Sequence, residues 1–141
     1  MKYLLDVNAL LAWHHAGSPH HEAFHRWWRS VGAGSLVSCA HAELGFLRVS
    51  MQVFGYSRQQ AQAALGSIRR ELGGFVAQAP APVLPVWAGT PARVSDAWLV
   101  QLARAEGLQL ATFVPGHSRC SHHSMMSPAN DQWRTAHRTA R

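Results

Sequence analysis

The chain has 141 residues, 48% of them apolar and 14% charged, which suits a single globular core and excludes an intrinsically disordered chain. Thirteen basic residues, twelve of them arginine, face seven acids for a formal net charge of +6, a balance that favours a polyanionic partner. Cys39 and Cys120 are the only cysteines and show no C-x-x-C spacing, so neither a disulfide framework nor a cysteine zinc site is indicated.

In chain order, residues 2–5 (KYLL) form a short apolar run ending at Asp6 and predict a buried strand. Asn8 to Trp13 predicts a first helix. Because Asp6 and Asn8 interrupt the opening apolar run, it reads as strand and helix rather than as a secretion signal. No stretch approaches the roughly 20 apolar residues that cross a bilayer, so no membrane partner is expected and the cytoplasm is the expected compartment. Ser18 is expected to cap a second helix with Pro19 at its first position, and Phe24, Trp27, Trp28 and Val31 give it one apolar face.

Residues 35–38 (SLVS) predict a second strand, leading into a helix over 40–53 with Leu44, Leu47 and Met51 expected on its buried side. A further helix follows Ser57 through Ala61, Ala64, Leu65, Ile68 and Leu72, and Gly73-Gly74 closes it. In the proline-rich stretch 79–91, Val83, Leu84 and Val86 are the candidate edge strand. Ser95 is expected to open a helix through Trp98, Leu99, Leu102 and Ala103, and residues 108–113 (LQLATF) predict the best strand of the second half. Alternating helices and short apolar strands predict a three-layer α/β domain over 1–114 with a short parallel sheet flanked by helices. From Pro115 the chain turns polar, rich in His, Ser and Arg. We read 115–141 as a loosely ordered basic tail without a strand, with a short helix near Trp133.

Three acids occupy similar settings. Asp6 follows the first strand, Glu43 falls in the first turn of the helix after strand two, and Asp96 is expected in the first turn of the helix before the LQLATF strand. Functional groups of an open parallel sheet collect beyond the carboxyl ends of its strands. Clustered carboxylates repel unless a cation lies between them, and hard oxygen donors suit Mg²⁺ or Mn²⁺. Acids in a first helical turn are also favoured by the helix dipole with no further role. That reading covers Glu43 and Asp96 taken singly better than it covers Asp6.

The motifs LLDVNALLA with Asp6, AELGFLRV with Glu43 and VSDAWLVQLARAEGLQLATF with Asp96 together resemble the PIN-domain ribonucleases, and within them the VapC-type toxins of toxin–antitoxin pairs. The resemblance covers about the first four-fifths of the chain. It implies Mg²⁺-dependent (or Mn²⁺-dependent) endonucleolytic cleavage of RNA, often tRNA or ribosomal RNA. It also implies a homodimer and an antitoxin whose tail covers the site. Asp6, Glu43 and Asp96 become the catalytic and metal-binding acids, and Asn8 and Ser95 match polar positions that support them. The family's fourth acid, normally next after the LATF strand, is here Val114, and the family's closing strand gives way to Pro115-Gly116 and the basic tail. His117 and Asp131 are candidate substitutes, and neither has the expected spacing.

Two further readings stand beside this one. A catalytically degenerate PIN domain would only bind RNA or its antitoxin. His21-Glu22-Ala23-Phe24-His25 spells H-E-x-x-H, whose histidines share a helix face in zinc peptidases with the glutamate as general base. The tail residues His117, Arg119, His122, His123, Arg134, His137, Arg138 and Arg141 are candidate phosphate contacts.

Overall fold

The computed structural model of the chain describes residues 1–113 and the strand Met125–Met126. The strands are β1 (Tyr3–Leu5), β2 (Leu36–Cys39), β3 (Gly74–Val76), β4 (Gln109–Ala111) and β5 (Met125–Met126). The helices are α1 (Val7–His14), α2 (His21–Val31), α3 (Ala40–Gln52), α4 (Arg58–Glu71) and α5 (Pro91–Ala105). The sheet runs in the order β3-β2-β1-β4-β5, with the first four strands parallel and β5 antiparallel to β4. Helices flank this sheet, as the alternating pattern predicts.

β1 lies at the centre, Leu4 opposite Val37 on one side and Leu110 on the other. A central parallel strand is covered on both faces, which is why its sequence is a continuous apolar run rather than an alternating one. Helix α1 follows the same logic. Five successive residues, Ala9 to Trp13, are buried, because α1 packs on both α2 and α3 and a helix enclosed on several sides is apolar all round. Phe24, Phe46, Leu10, Leu36, Leu65, Ile68, Leu99 and Leu102 fill the core around it.

Helix α3 buries a different face from the one expected. Ala42, Glu43, Phe46 and Ser50 turn inward, while Leu44 is 65% exposed and Met51 45% exposed. Gly45 decides the orientation. A Cβ there would lie 2.4 Å from Cγ2 of Val7, so the absent side chain lets α1 and α3 meet at that point. Ser50 is tolerated inside because its hydroxyl pairs with His15 Nε2 at 2.8 Å.

Three other expectations are corrected. Helix α2 begins at His21 with His20 before it, not at Ser18-Pro19, and no side-chain cap forms. The ring nitrogens Nδ1 of His21 and Nε2 of His25 instead donate to the carbonyls of Ala12 and Trp13 at the end of α1, each at 2.8 Å. The start of α2 is thereby tied to the last turn of α1. Residues 83–86 form no strand, and Val83 and Val86 are exposed. The prolines at 80, 82 and 85 lack N–H donors, and α5 holds the segment by side chains, with Gln101 bonded to Val83 N and Ala81 O, and Trp98 Nε1 to Pro80 O. β3 takes the edge position after Gly73, where a Cβ would stand 2.0 Å from the Gly34 carbonyl oxygen. Finally, α5 starts at Pro91, where the fixed φ suits a first helical position. Ser95 does not open it, and Asp96 is its sixth residue rather than a member of its first turn.

The stretch after Pro115, expected to hold no strand, contributes β5, whose residues Met126 and Met125 pair with Leu110 and Ala111. An unpaired edge on β4 would leave backbone donors and acceptors open. Val114, His117, Asp131, the remaining tail cations and the expected helix near Trp133 lie outside the described residues. Among the described residues, no helix is long and apolar enough to cross a membrane.

Candidate active site

Parallel strands deliver the chain to one edge of the sheet, and three elements of the site arrive there for that reason. Leu5 and Ala111 are in register, so Asp6 and Thr112, the next residue of each strand, emerge side by side. The Asp6 N–H donates to the Ala111 carbonyl at 3.2 Å, and the Thr112 hydroxyl donates to Asp6 Oδ2. Asp6 also caps α1, its Oδ1 accepting from the Ala9 N–H at 2.7 Å.

Asp6 is only 4% exposed. Burial pushes its carboxyl up to about 7, opposed by the Thr112, Ala9 and Asn8 hydrogen bonds and reinforced by the charge of Asp96. Asn8 thus acts on Asp6 through its backbone. Asp96 is reached from α5, which runs back toward β4, and partial withdrawal from water raises its pKa as well. Ser95 beside it is exposed. The two aspartates lie within electrostatic reach of each other, and Asp6 is held by neutral donors.

Glu43 belongs to a second half of the site. Helix α3 begins directly after β2, and Glu43 in its first turn is 3% exposed. Ser38 Oγ, inside β2, donates to Oε1 at 2.6 Å. Arg69, from α4, donates to Oε2 through Nε at 2.9 Å and through Nη2. That pairing raises the guanidinium pKa above its ordinary value.

The structure therefore brings Asp6 and Asp96 within electrostatic reach of each other and occupies Glu43 with a cation of its own. Among the described residues, no three His, Cys, Asp or Glu side chains lie close enough to share a metal ion. The donors still fit a hard divalent ion. Mg²⁺ is commonly held by one or two carboxylates and keeps several waters, and a buried Asp6 carboxyl within electrostatic reach of the exposed Asp96 is a situation such an ion relieves.

The H-E-x-x-H histidines take a different task from the zinc site weighed above. The rings of His21 and His25 lie 4.4 Å apart but donate through different nitrogens to the end of α1, with no third ligand among the described residues. Thr112, Ser38 and Arg69 were not singled out by the sequence reading. The first two left a trace, as polar residues at the end of, or inside, an apolar strand. Arg69 left none, because it lies 26 positions from Glu43 and meets it only through the packing of α4 on α3.

The PIN domain family model matches residues 3–114. Over 124 residues the chain is 33% identical to ribonuclease VapC38 of Mycobacterium tuberculosis strain H37Rv, spanning 80% of this chain and 85% of that protein. Among solved structures, that of Mycobacterium tuberculosis VapC20, a sarcin-ricin loop cleaving toxin, has a TM-score of 0.61 and 19% identity. The likeness covers 82% of this chain and 92% of the other, and at that identity it speaks for the fold alone.

Proposed function

The chain belongs to the PIN domain family, among the VapC-type ribonucleases, and from that premise we propose a divalent-metal-dependent endoribonuclease that serves as the toxin of a toxin–antitoxin pair. The observation that carries the metal dependence is the buried Asp6 carboxyl facing Asp96 with only neutral hydrogen-bond donors around it.

Asp6 and Asp96 are the residues that hold Mg²⁺ or Mn²⁺. When bound, the ion supplies water activation and offsets charge building on the phosphate oxygens. Thr112 and the Ala9 N–H fix the orientation of the Asp6 carboxylate, and Ser38 does the same for Glu43. Glu43 is the third acid of the site. Asn8 and Ser95 lie beside the two aspartates in sequence, and Ser95 is exposed, which favours a supporting polar role for both. Arginine excess favours the phosphate backbone as the binding feature. Transfer RNA or ribosomal RNA is the proposed target class, a cognate antitoxin the protein partner, and the cytoplasm the compartment. The exposed Leu44 and Met51, seven residues apart on one face of α3, support a homodimer.

The second reading, a PIN domain that binds without cutting, is favoured by Val114 at the position of the fourth acid and by the occupation of Glu43. Incubating cellular RNA with the purified protein and Mn²⁺ separates the two. Fragments with defined ends, absent with Asp6→Asn or with chelator, are expected. Retention of RNA without cleavage at any Mn²⁺ level would favour the binding-only reading.

A further inference from the structure

Two rings meet at the acid-bearing edge of the sheet. His41 lies in the first turn of α3, directly after β2, and Trp98 in the part of α5 that lies at that edge before the helix runs back toward β4. Their ring centroids are 5.5 Å apart, with the planes inclined at 54°. His41 stands two residues before Glu43, and Trp98 two residues after Asp96. Two residues advance a helix by only about 3 Å, so each ring shares a turn with one acid of the site.

The bland accounts are a surface histidine and a helix tryptophan that serves the core. They cover each residue singly and leave the pairing unexplained. A first helical turn favours acids rather than a histidine, and the exposed His41 ring makes no hydrogen bond among the described residues and rests against Trp98. Trp98, half-buried, is held in place by its Nε1, which donates to the Pro80 carbonyl at 2.9 Å. The rings of His15 and Phe54 show the contrast, lying 3.7 Å apart and 7° from parallel in a closed stack. The tilted pair leaves aromatic face uncovered.

We propose that His41 and Trp98 form a nucleobase-stacking site beside the acids, receiving a base of the RNA next to the phosphate that is cut. The proposal rests on the reading of this chain as a ribonuclease. A nucleotide carries base and phosphate on different sides of its sugar, so a phosphate at the aspartates leaves the adjoining base to be received just outside them. Aromatic faces accept bases by stacking, whatever their sequence. A second copy of the chain seated on the exposed Leu44, three residues further along α3, is the rival occupant. Contact of the ring pair with both acid-bearing turns favours RNA.

The test compares affinities for an adenosine 12-mer and for an abasic ribose-phosphate 12-mer across a salt series. The Asp6→Asn chain, which does not cut, is the parent, and His41→Ala, His41→Phe and Trp98→Leu are added to it. The parent should prefer the base-bearing oligomer, and His41→Ala or Trp98→Leu should each narrow that preference about fivefold, the lower end of the range for one stacked base. The salt slope should stay unchanged, because stacking releases no counterions. His41→Phe, which keeps a flat face, should retain the preference. His41 is exposed, so His41→Ala decides the matter even where Trp98→Leu unfolds. A preference that His41→Ala leaves intact would overturn the stacking site, as would an equal loss on both oligomers. Dissociation of a dimer by His41→Ala, seen by sedimentation with the preference unchanged, would assign the rings to the second copy and overturn it too. Absence of binding to either oligomer by the parent at low salt would overturn the ribonuclease reading with it.

Discussion

Replacing Asp6 by Asn should make the metal-free protein more stable at neutral and alkaline pH. The carboxyl is 4% exposed, and its pKa rises from 3.8 in the unfolded chain to about 7 in the fold. A raised carboxyl pKa means that the folded state prefers the protonated form. Below 3.8 both states hold the proton and Asp6 costs nothing. Between 3.8 and about 7 the unfolded chain has released it and the fold has not, so stability falls by about 1.4 kcal/mol per pH unit. Above about 7 both are ionised and the loss is complete, on the order of 4 kcal/mol. Asparagine keeps an acceptor for the Ala9 N–H and turns its amide toward the Thr112 hydroxyl, which must rotate to accept at a cost of about 1 kcal/mol. The variant should therefore exceed the parent by about 3 kcal/mol near pH 8, with the gap shrinking toward about pH 4. Urea unfolding in chelator across that range measures it. Mn²⁺ should close the gap by binding only the parent. A difference that stays constant with pH, or a variant less stable than the parent near pH 8, would refute the reasoning.

Gly45→Ala should destabilise by about 1–3 kcal/mol through overpacking against Val7. Combination with Val7→Ala should cost less than the sum of the two single changes, read from urea midpoints. Val114→Asp should raise RNA cleavage roughly 10- to 100-fold at low Mn²⁺ if the fourth acid limits the site, with the advantage fading as Mn²⁺ rises. An equally folded, equally slow variant in the same cleavage assay would place the limit elsewhere. RNA affinity, followed by filter binding, should fall with salt at a logarithmic slope of about 0.7 per phosphate neutralised, and a flat response would dismiss an electrostatic interface.

What could be read in advance was set by local pattern. The run ending at Asp6 and the apolar spacing of α4 after Ser57 each announce an element within a few residues, and each element is present. Periodicity failed where two faces of one helix compete. Leu44, Leu47 and Met51 fit a buried row as well as Ala42, Phe46 and Ser50 do, and a clash at Gly45, visible only once Val7 is in place, decides between them. Asp96 misled for a related reason, since the serine before it resembles a cap while Pro91 had already started the helix. Each acid could be named from its motif. The partner of Glu43 could not, because nothing near Arg69 in sequence marks which buried group it will reach.

The double employment of Asp6 bears on how an inactive form of this protein should be made. Its Oδ1 closes the first turn of α1, the helix around which α2 and α3 are packed. Alanine there removes the proposed metal ligand and a helix cap worth about 1 kcal/mol in one stroke. Both substitutions remove the buried charge, so the cap is what separates alanine from asparagine, and in a growing cell a difference of that size can change the amount of folded protein several-fold. Asp6→Asn, which retains the cap, is therefore the variant in which growth reports most directly on the chemistry.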